Sequence, residues 1–193
     1  LPLVQYTLTE ALKVLAPTDL VSVVSYAGDV SLRLAPTPVS EHAKIVAAIQ
    51  GLSAGGSTNG AGGLQLAYEQ AEKARIDGGI NHVVLCTDGD FNVGVSSTSE
   101  LVDLITAKRK TGITLTALGY GSDNLNDSMM EAVSNKGNGV YGVISNTDQA
   151  TMYVQQRLLS TLVHVAQDLK IQVEFNPDLV YAYRLLGYED RDI

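Results

Sequence analysis

The chain of 193 residues has few of the residues on which several protein classes depend. It has one cysteine, Cys86, so it cannot form an internal disulfide framework, and it contains no tryptophan. It has no apolar run of the 18 or more residues that a membrane-spanning helix requires, so no transmembrane segment is predicted. Basic residues number 13 against 21 acidic ones, giving a net charge of −8. This balance argues against nucleic-acid binding, which depends on clustered lysine and arginine.

The N-terminus also lacks an initiating methionine. The sequence begins at Leu1, and we therefore expect a processed or trimmed N-terminus, with which a targeting segment could have been removed.

The apolar pattern alternates between helical and strand periods along most of the chain. Strands are predicted over 20–26, 30–34, 83–87, 113–118 and 140–144, with helices before and between most of them. This alternation predicts an α/β fold of the doubly wound type, in which a mainly parallel sheet lies between two helical layers. The strand 30–34 is expected to be antiparallel at an edge. The continuous apolar runs 20–26, 83–87 and 113–118 are expected to be buried on both faces.

The last residues show a different pattern. Segments 171–175 and 180–186 alternate apolar and polar residues around an Asn-Pro-Asp turn, which predicts an antiparallel pair of strands. We therefore predict an α/β domain over 1–169 and the beginning of a β-rich extension over 170–193.

The predicted domain opens on a helix, whereas doubly wound domains normally open on a strand near the centre of the sheet. We expect that first strand to lie upstream of Leu1. Its absence would leave a gap beside central strands, and unpaired buried backbone groups are costly. Three occupants of the gap remain open at this point: an upstream segment, a neighbouring chain, or the 171–186 hairpin folded back.

The residues most able to carry chemistry follow predicted strands or precede a predicted helix. Asp88 directly follows the strand 83–87, and Ser57, Thr58 and Asn59 lie in a glycine-rich loop before a helix. Ligands of open α/β sheets bind at the carboxyl ends of strands, and carboxylate and hydroxyl oxygens suit Mg²⁺, Mn²⁺ or Ca²⁺. The alternative is structural, because Thr-Asp-Gly also forms a turn and the loop could serve only as a helix cap.

Longer stretches carry a resemblance to a known family. The segments VVLCTDGDFNVG (83–94) and GGSTNGAGGLQLAYE (55–69) resemble von Willebrand factor type A domains. The stretches 118–144 and 170–191 resemble bacterial envelope members of that family, in which a β-rich extension follows the domain. The resemblance implies a metal-ion-dependent adhesion site formed by three loops. Thr58 and Asp88 match its second and third loops as metal ligands.

The first loop of that site has no counterpart in this chain. The family has an Asp-x-Ser-x-Ser motif there, whereas Asp29-Val30-Ser31 lacks the second serine and follows a different strand. The resemblance thus implies two of five metal-site side chains and a weak or absent cation, Mg²⁺ or else Mn²⁺ or Ca²⁺. Residues at the periphery of this site could contact the water shell of the metal or only shape the loops: Ser57, Asn59, Gly89, Asp90 and Asn92.

The family implies recognition rather than catalysis. Its bound metal leaves one position for a carboxylate of a partner protein, so we expect a divalent-metal-dependent binding module in the bacterial cell envelope, and not an enzyme. One alternative is a metal-dependent hydrolase using Asp88, although the sequence has no phosphate-binding loop, no dinucleotide fingerprint and no Asp-x-Asp nucleophile motif after a first strand. Another is a structural envelope domain with a vestigial metal site.

Overall fold

The structure is a computed structural model that describes residues 1–27, 29–55, 59–88, 98–121, 126–158, 172–176 and 178–184. The helices are α1 (Pro2–Leu12), α2 (His42–Gln50), α3 (Gly60–Lys73), α4 (Thr98–Lys110), α5 (Asp127–Lys136) and α6 (Thr147–Met152). The strands are β1 (Leu20–Ser25), β2 (Ser31–Pro38), β3 (Asn81–Thr87), β4 (Ile113–Tyr120) and β5 (Tyr141–Ile144). A 3-10 turn, Val39–Glu41, precedes α2, and a π-helical turn, Tyr153–Leu158, continues α6.

The strands form two separate groups. β3, β4 and β5 are parallel, with Val83 opposite Leu115 and Ala117 opposite Tyr141. β1 and β2 are antiparallel, and their pairing is irregular around Val23. The α/β class and the antiparallel strand after β1 are confirmed. One continuous sheet was expected, but among the described residues no strand pairing joins β1 to β3.

β4 lies at the centre of the parallel group. All eight of its residues are buried, because helices cover both of its faces. On one face, Ile113, Leu115 and Ala117 pack in a cluster with residues of α3, α4 and α5; on the other, Leu118 and Tyr120 pack with residues of α1 and α6. Burial of 113–118 on both faces is therefore confirmed.

The same prediction is wrong for β1 and for one face of β3. Only Val23 of β1 is buried, and Leu20 is exposed. In β3, Val83 and Leu85 are buried, whereas Val84 and Cys86 between them are half-buried. Both strands have an edge that pairs with no other strand in the described part of the chain, so an apolar sequence alone does not bring full burial.

The C-terminal residues differ from the predicted strand pair. Residues 172–176 and 178–184 contain no strand, although the backbone turns at Asn176, whose carbonyl accepts hydrogen bonds from the N–H groups of Leu179 and Val180. The rings of Phe175 and Tyr183 then lie 4.4 Å apart between centroids. The pairing prediction is wrong for these residues, because the two described segments meet through these rings and not through a ladder of backbone hydrogen bonds. The boundary at 169/170 stays a prediction.

No described helix combines the length and the apolarity needed to cross a bilayer.

Candidate carboxylate site at the strand ends

Asp88 occupies the predicted position at the carboxyl end of β3. Thr87, the last strand residue, is buried, whereas Asp88 is exposed directly after it. The carboxylate of Asp88 forms no ion pair with any residue in the described ranges. Its oxygens have the chemistry that hard divalent cations prefer.

Tyr26, the residue after β1, lies beside the same strand end. Its hydroxyl donates a hydrogen bond of 2.5 Å to the carbonyl oxygen of Cys86. Burial raises the pKa of Tyr26 well above its usual range, and the nearby charge of Asp88 acts in the same direction. Tyr26 therefore remains protonated and can donate this bond throughout the physiological pH range.

A close contact fixes Tyr26 against α3. A Cβ atom added at Gly63 would lie 2.4 Å from the Cβ of Tyr26, so only glycine fits there. The carbonyl of Tyr26 also accepts a hydrogen bond of 3.2 Å from the backbone N–H of Asn59. These contacts hold the end of β1, the end of β3 and the start of α3 together.

Asn59 caps α3. Its side-chain oxygen accepts a hydrogen bond of 3.0 Å from the backbone N–H of Gly62. An asparagine in this position satisfies one of the free donors of the first helical turn. Asn59 thus supports the alternative in which the glycine-rich loop caps a helix, because its side-chain oxygen is used by the first turn of α3.

The structure brings two of the residues predicted from sequence to one edge. Asp88 and Asn59 both lie near Tyr26, at the carboxyl end of β3. Among the described residues, no group of three histidine, cysteine, aspartate or glutamate side chains could hold a metal. The other predicted site residues lie outside the described residues: Ser57, Thr58, Gly89, Asp90 and Asn92.

Sequence reasoning missed Tyr26. It placed this residue inside the strand 20–26, whereas the strand ends at Ser25 and the ring turns toward Gly63 and Cys86. The only local signal is a large polar aromatic residue at the end of an apolar run. Its partners are 37 and 60 residues away along the chain (63 − 26 and 86 − 26), and a local pattern cannot reveal them.

Cys86 has no environment that would make it reactive. Burial raises the pKa of its thiol to about 11, and its sulfur lies 3.8 Å from the hydroxyl of Tyr120. A nucleophilic cysteine requires a lowered pKa, so this thiol serves as a small packing residue.

Comparison with protein families gives two adjacent matches. The von Willebrand factor type A domain family matches residues 4–160, and the family described as "Uncharacterized protein YfbK, C-terminal" matches residues 160–193. The chain is 42% identical to "Uncharacterized protein YfbK" of Escherichia coli (strain K12) over 193 residues. That alignment covers 100% of this chain and 34% of the relative.

A second relative is more distant. The chain is 29% identical over 132 residues to "Uncharacterized protein sll0103" of Synechocystis sp. (strain ATCC 27184 / PCC 6803 / Kazusa). This match covers 68% of the chain and 30% of the relative. The chain thus spans about a third of the length of the curated relatives that it matches.

Solved structures show the same fold at low sequence identity. A von Willebrand factor type A protein from Catenulispora acidiphila has a TM-score of 0.69 at 17% identity, covering 83% of this chain and 38% of that one. An aerotolerance-related membrane protein from Bacteroides fragilis NCTC 9343 has a TM-score of 0.61 at 20% identity, covering 82% and 88%.

A third similar structure contains a metal. Proximal thread matrix protein 1 from the mussel byssus, with a zinc-occupied MIDAS motif, has a TM-score of 0.62 at 17% identity. The alignment covers 80% of this chain and 41% of that one. The resemblance predicted from sequence is confirmed, and the chain belongs to the von Willebrand factor type A family.

Proposed function

We propose that this chain is a protein-binding module that recognises an acidic group of a partner through a divalent cation held at Asp88. The family supports a protein-interaction role in general terms. The observation that carries the finer proposal is the carboxylate of Asp88, exposed and without an ion pair in the described ranges at the carboxyl end of β3. This is the edge at which open α/β sheets bind their ligands.

Charge explains why the proposal includes a cation. The chain has a net charge of −8, so a partner carboxylate approaching Asp88 directly would meet like charge. A divalent cation between the two carboxylates converts this repulsion into attraction. Mg²⁺ is the proposed ion, with Mn²⁺ or Ca²⁺ as alternatives that accept the same oxygen ligands.

The proposed ligands of this chain predict weak affinity. Asp88 supplies one carboxylate, Thr58 is proposed to add a hydroxyl, and water would fill most of the remaining positions. By comparison with weak extracellular calcium sites, we expect a Kd of about 10⁻³ M or weaker.

We propose the bacterial cell envelope as the location of this module and binding, not catalysis, as its activity. The similar structure from Bacteroides fragilis is described as a membrane protein, which supports the first proposal. The proposal of binding without catalysis is supported by the raised pKa of Cys86 and by the hydrogen bond between His82 and Thr114. Both observations favour structural roles for Cys86 and His82. Sustained hydrolysis of generic phosphate or ester substrates that Asp88→Ala abolishes would contradict the binding proposal.

Metal binding at Asp88 can be tested by titrating the chain with Mn²⁺ and measuring free Mn²⁺ by electron paramagnetic resonance. Asp88→Asn is expected to weaken Mn²⁺ binding at least tenfold, since it removes the charge of the proposed carboxylate ligand. Asp77→Asn is the matched control, because Asp77 is an exposed aspartate that precedes β3. It should bind as the unmodified chain does.

Two results would contradict the metal assignment. Equal binding by the Asp88→Asn and unmodified chains would exclude Asp88 as the ligand. Micromolar binding by the unmodified chain would mean that other residues coordinate the ion, with Asp90 the first to be replaced.

A further inference from the structure

Basic side chains are concentrated at one edge of the fold. The helices α3, α4 and α5 cover one face of the parallel strands, and α4 contacts both of the others. Each of the three helices ends toward the amino edge of the strands, because a short connection leads from it to the next strand. Six of the 13 lysines and arginines of the chain lie in the last turns of these helices or just after them, and we call this set the basic edge: Lys73, Arg75, Lys108, Arg109, Lys110 and Lys136.

The basic edge carries more positive charge than its surroundings neutralise. The Nζ of Lys108 lies 2.8 Å from Oε1 of Glu72, and the Nε of Arg75 lies 3.5 Å from Oδ1 of Asp77. The other four are exposed and form no ion pair within the described ranges: Lys73, Arg109, Lys110 and Lys136. The end of a helix carries a partial charge of about −0.5, which favours one basic residue there but does not neutralise several. The basic edge is therefore locally positive, although the chain has a net charge of −8.

A turn beside these charges exposes two isoleucines. Ile76 and Ile80, in the connection between α3 and β3, are 46% and 49% exposed. The side chain of Asn81 holds this connection in place. Its Oδ1 accepts a hydrogen bond of 3.2 Å from the N–H of Ile76, and its Nδ2 donates to the carbonyls of Ile76 at 3.2 Å and of Gly79 at 3.3 Å. These bonds keep the exposed apolar side chains next to Arg75.

We propose that the basic edge, together with Ile76 and Ile80, is a surface that docks on an anionic lipid bilayer. Lysine and arginine attract the phosphates of anionic lipids, and apolar side chains enter the boundary between headgroups and acyl chains. The charges lie at the ends of three helices and do not converge on one point, which suits an extended anionic surface better than a single ion. The isoleucines favour a bilayer over an acidic polypeptide, because a polypeptide of carboxylates offers charge without an apolar interior.

This surface is separate from the proposed cation site. Asp88 follows the carboxyl end of β3, whereas Arg75 and Ile80 precede its amino end. The seven residues of β3 span ~23 Å at ~3.3 Å per residue. A chain docked through the basic edge therefore keeps Asp88 on the side away from the lipid, where a partner protein can reach it.

Sedimentation with lipid vesicles tests the proposal, with EDTA present so that no divalent cation takes part. The chain is expected to sediment with vesicles of phosphatidylglycerol and phosphatidylcholine in equal parts, and not with vesicles of phosphatidylcholine alone. Raising the salt concentration from ~0.1 M to ~1 M shortens the Debye length from about 10 Å to about 3 Å and should weaken binding at least ~10-fold. This salt series uses the unmodified chain and needs no variant to fold.

Matched variants locate the binding surface. Arg109→Gln with Lys110→Gln should weaken vesicle binding at least ~10-fold, since each basic residue near an anionic membrane adds to the attraction. Arg33→Gln with Lys44→Gln is the control, because it changes the net charge equally on β2 and α2, and it should bind as the unmodified chain does. Ile76→Ala should weaken binding about threefold or more, because it removes apolar area that would enter the bilayer.

Three outcomes would overturn the proposal. The first is equal binding to vesicles with and without phosphatidylglycerol. The second is equal weakening by the two double variants, which would show that net charge and not the basic edge determines binding. The third is binding to polyglutamate without binding to vesicles, or vesicle binding that Ile76→Ala leaves unchanged, since an acidic polypeptide would then be the better occupant of the basic edge.

Discussion

Replacing Gly139 by alanine is expected to lower the free energy of unfolding by about 3 kcal/mol or more. A Cβ atom at this position would lie 1.8 Å from the carbonyl oxygen of Leu115 and 3.0 Å from the nitrogen of Thr116. Both are backbone atoms of the central strand and cannot turn aside as a side chain would. The segment before β5 must instead move away from β4.

That movement would also break hydrogen bonds. The N–H of Leu115 donates to Gly137 at 2.9 Å, and that of Ala117 donates to Val140 at 3.0 Å. Urea unfolding measures the loss. Gly51→Ala is the control, because its nearest contact would be at 3.2 Å and its backbone is helical. Gly139→Ala and Gly51→Ala chains of equal stability would contradict the described packing of β5 on β4.

Ile105→Ala is expected to lower the free energy of unfolding by about 2–5 kcal/mol, the range for truncating an isoleucine in a packed core. Ile105 is 0% exposed and packs in one cluster with Ile113, Leu115 and Met130. The deleted atoms would leave a cavity between α4 and the sheet, and the helices on that face cannot close it without losing their own contacts.

The matched control is Ile80→Ala. Ile80 is 49% exposed, so its truncation should change stability by less than about 1 kcal/mol. Thermal or urea unfolding of the two variants gives the comparison. If Ile105→Ala lowered the free energy of unfolding no more than Ile80→Ala does, α4 would not pack on β4 as described.

The parts of the fold that sequence predicted correctly depend on local pattern. The run 113–118 is continuously apolar, and its strand is buried on both faces because helices cover both. Asp88 was placed correctly because the carboxyl end of a strand is a local feature of the chain.

The errors arise where distant residues decide the structure. The run 20–26 is just as apolar, but β1 pairs on one edge only and remains largely half-buried. The alternating residues after 171 have strand character in sequence, yet their described part contains no strand and leaves Val173, Leu179 and Tyr181 exposed. Tyr26 was missed for a related reason. Its ring packs against Gly63, a distant residue that leaves room for it because glycine has no side chain.

Nuclear magnetic resonance can test whether a cation binds at Asp88 by locating Mn²⁺ in the chain. Substoichiometric Mn²⁺ broadens only signals near the ion, so weak affinity does not prevent the measurement. A cation at Asp88 should cause selective loss of the amide signals of Asn59, Thr87 and Asp88 in the unmodified chain, and no selective loss in Asp88→Asn. Broadening that centres on Asp77 instead, or that persists at the strand ends in Asp88→Asn, would contradict it.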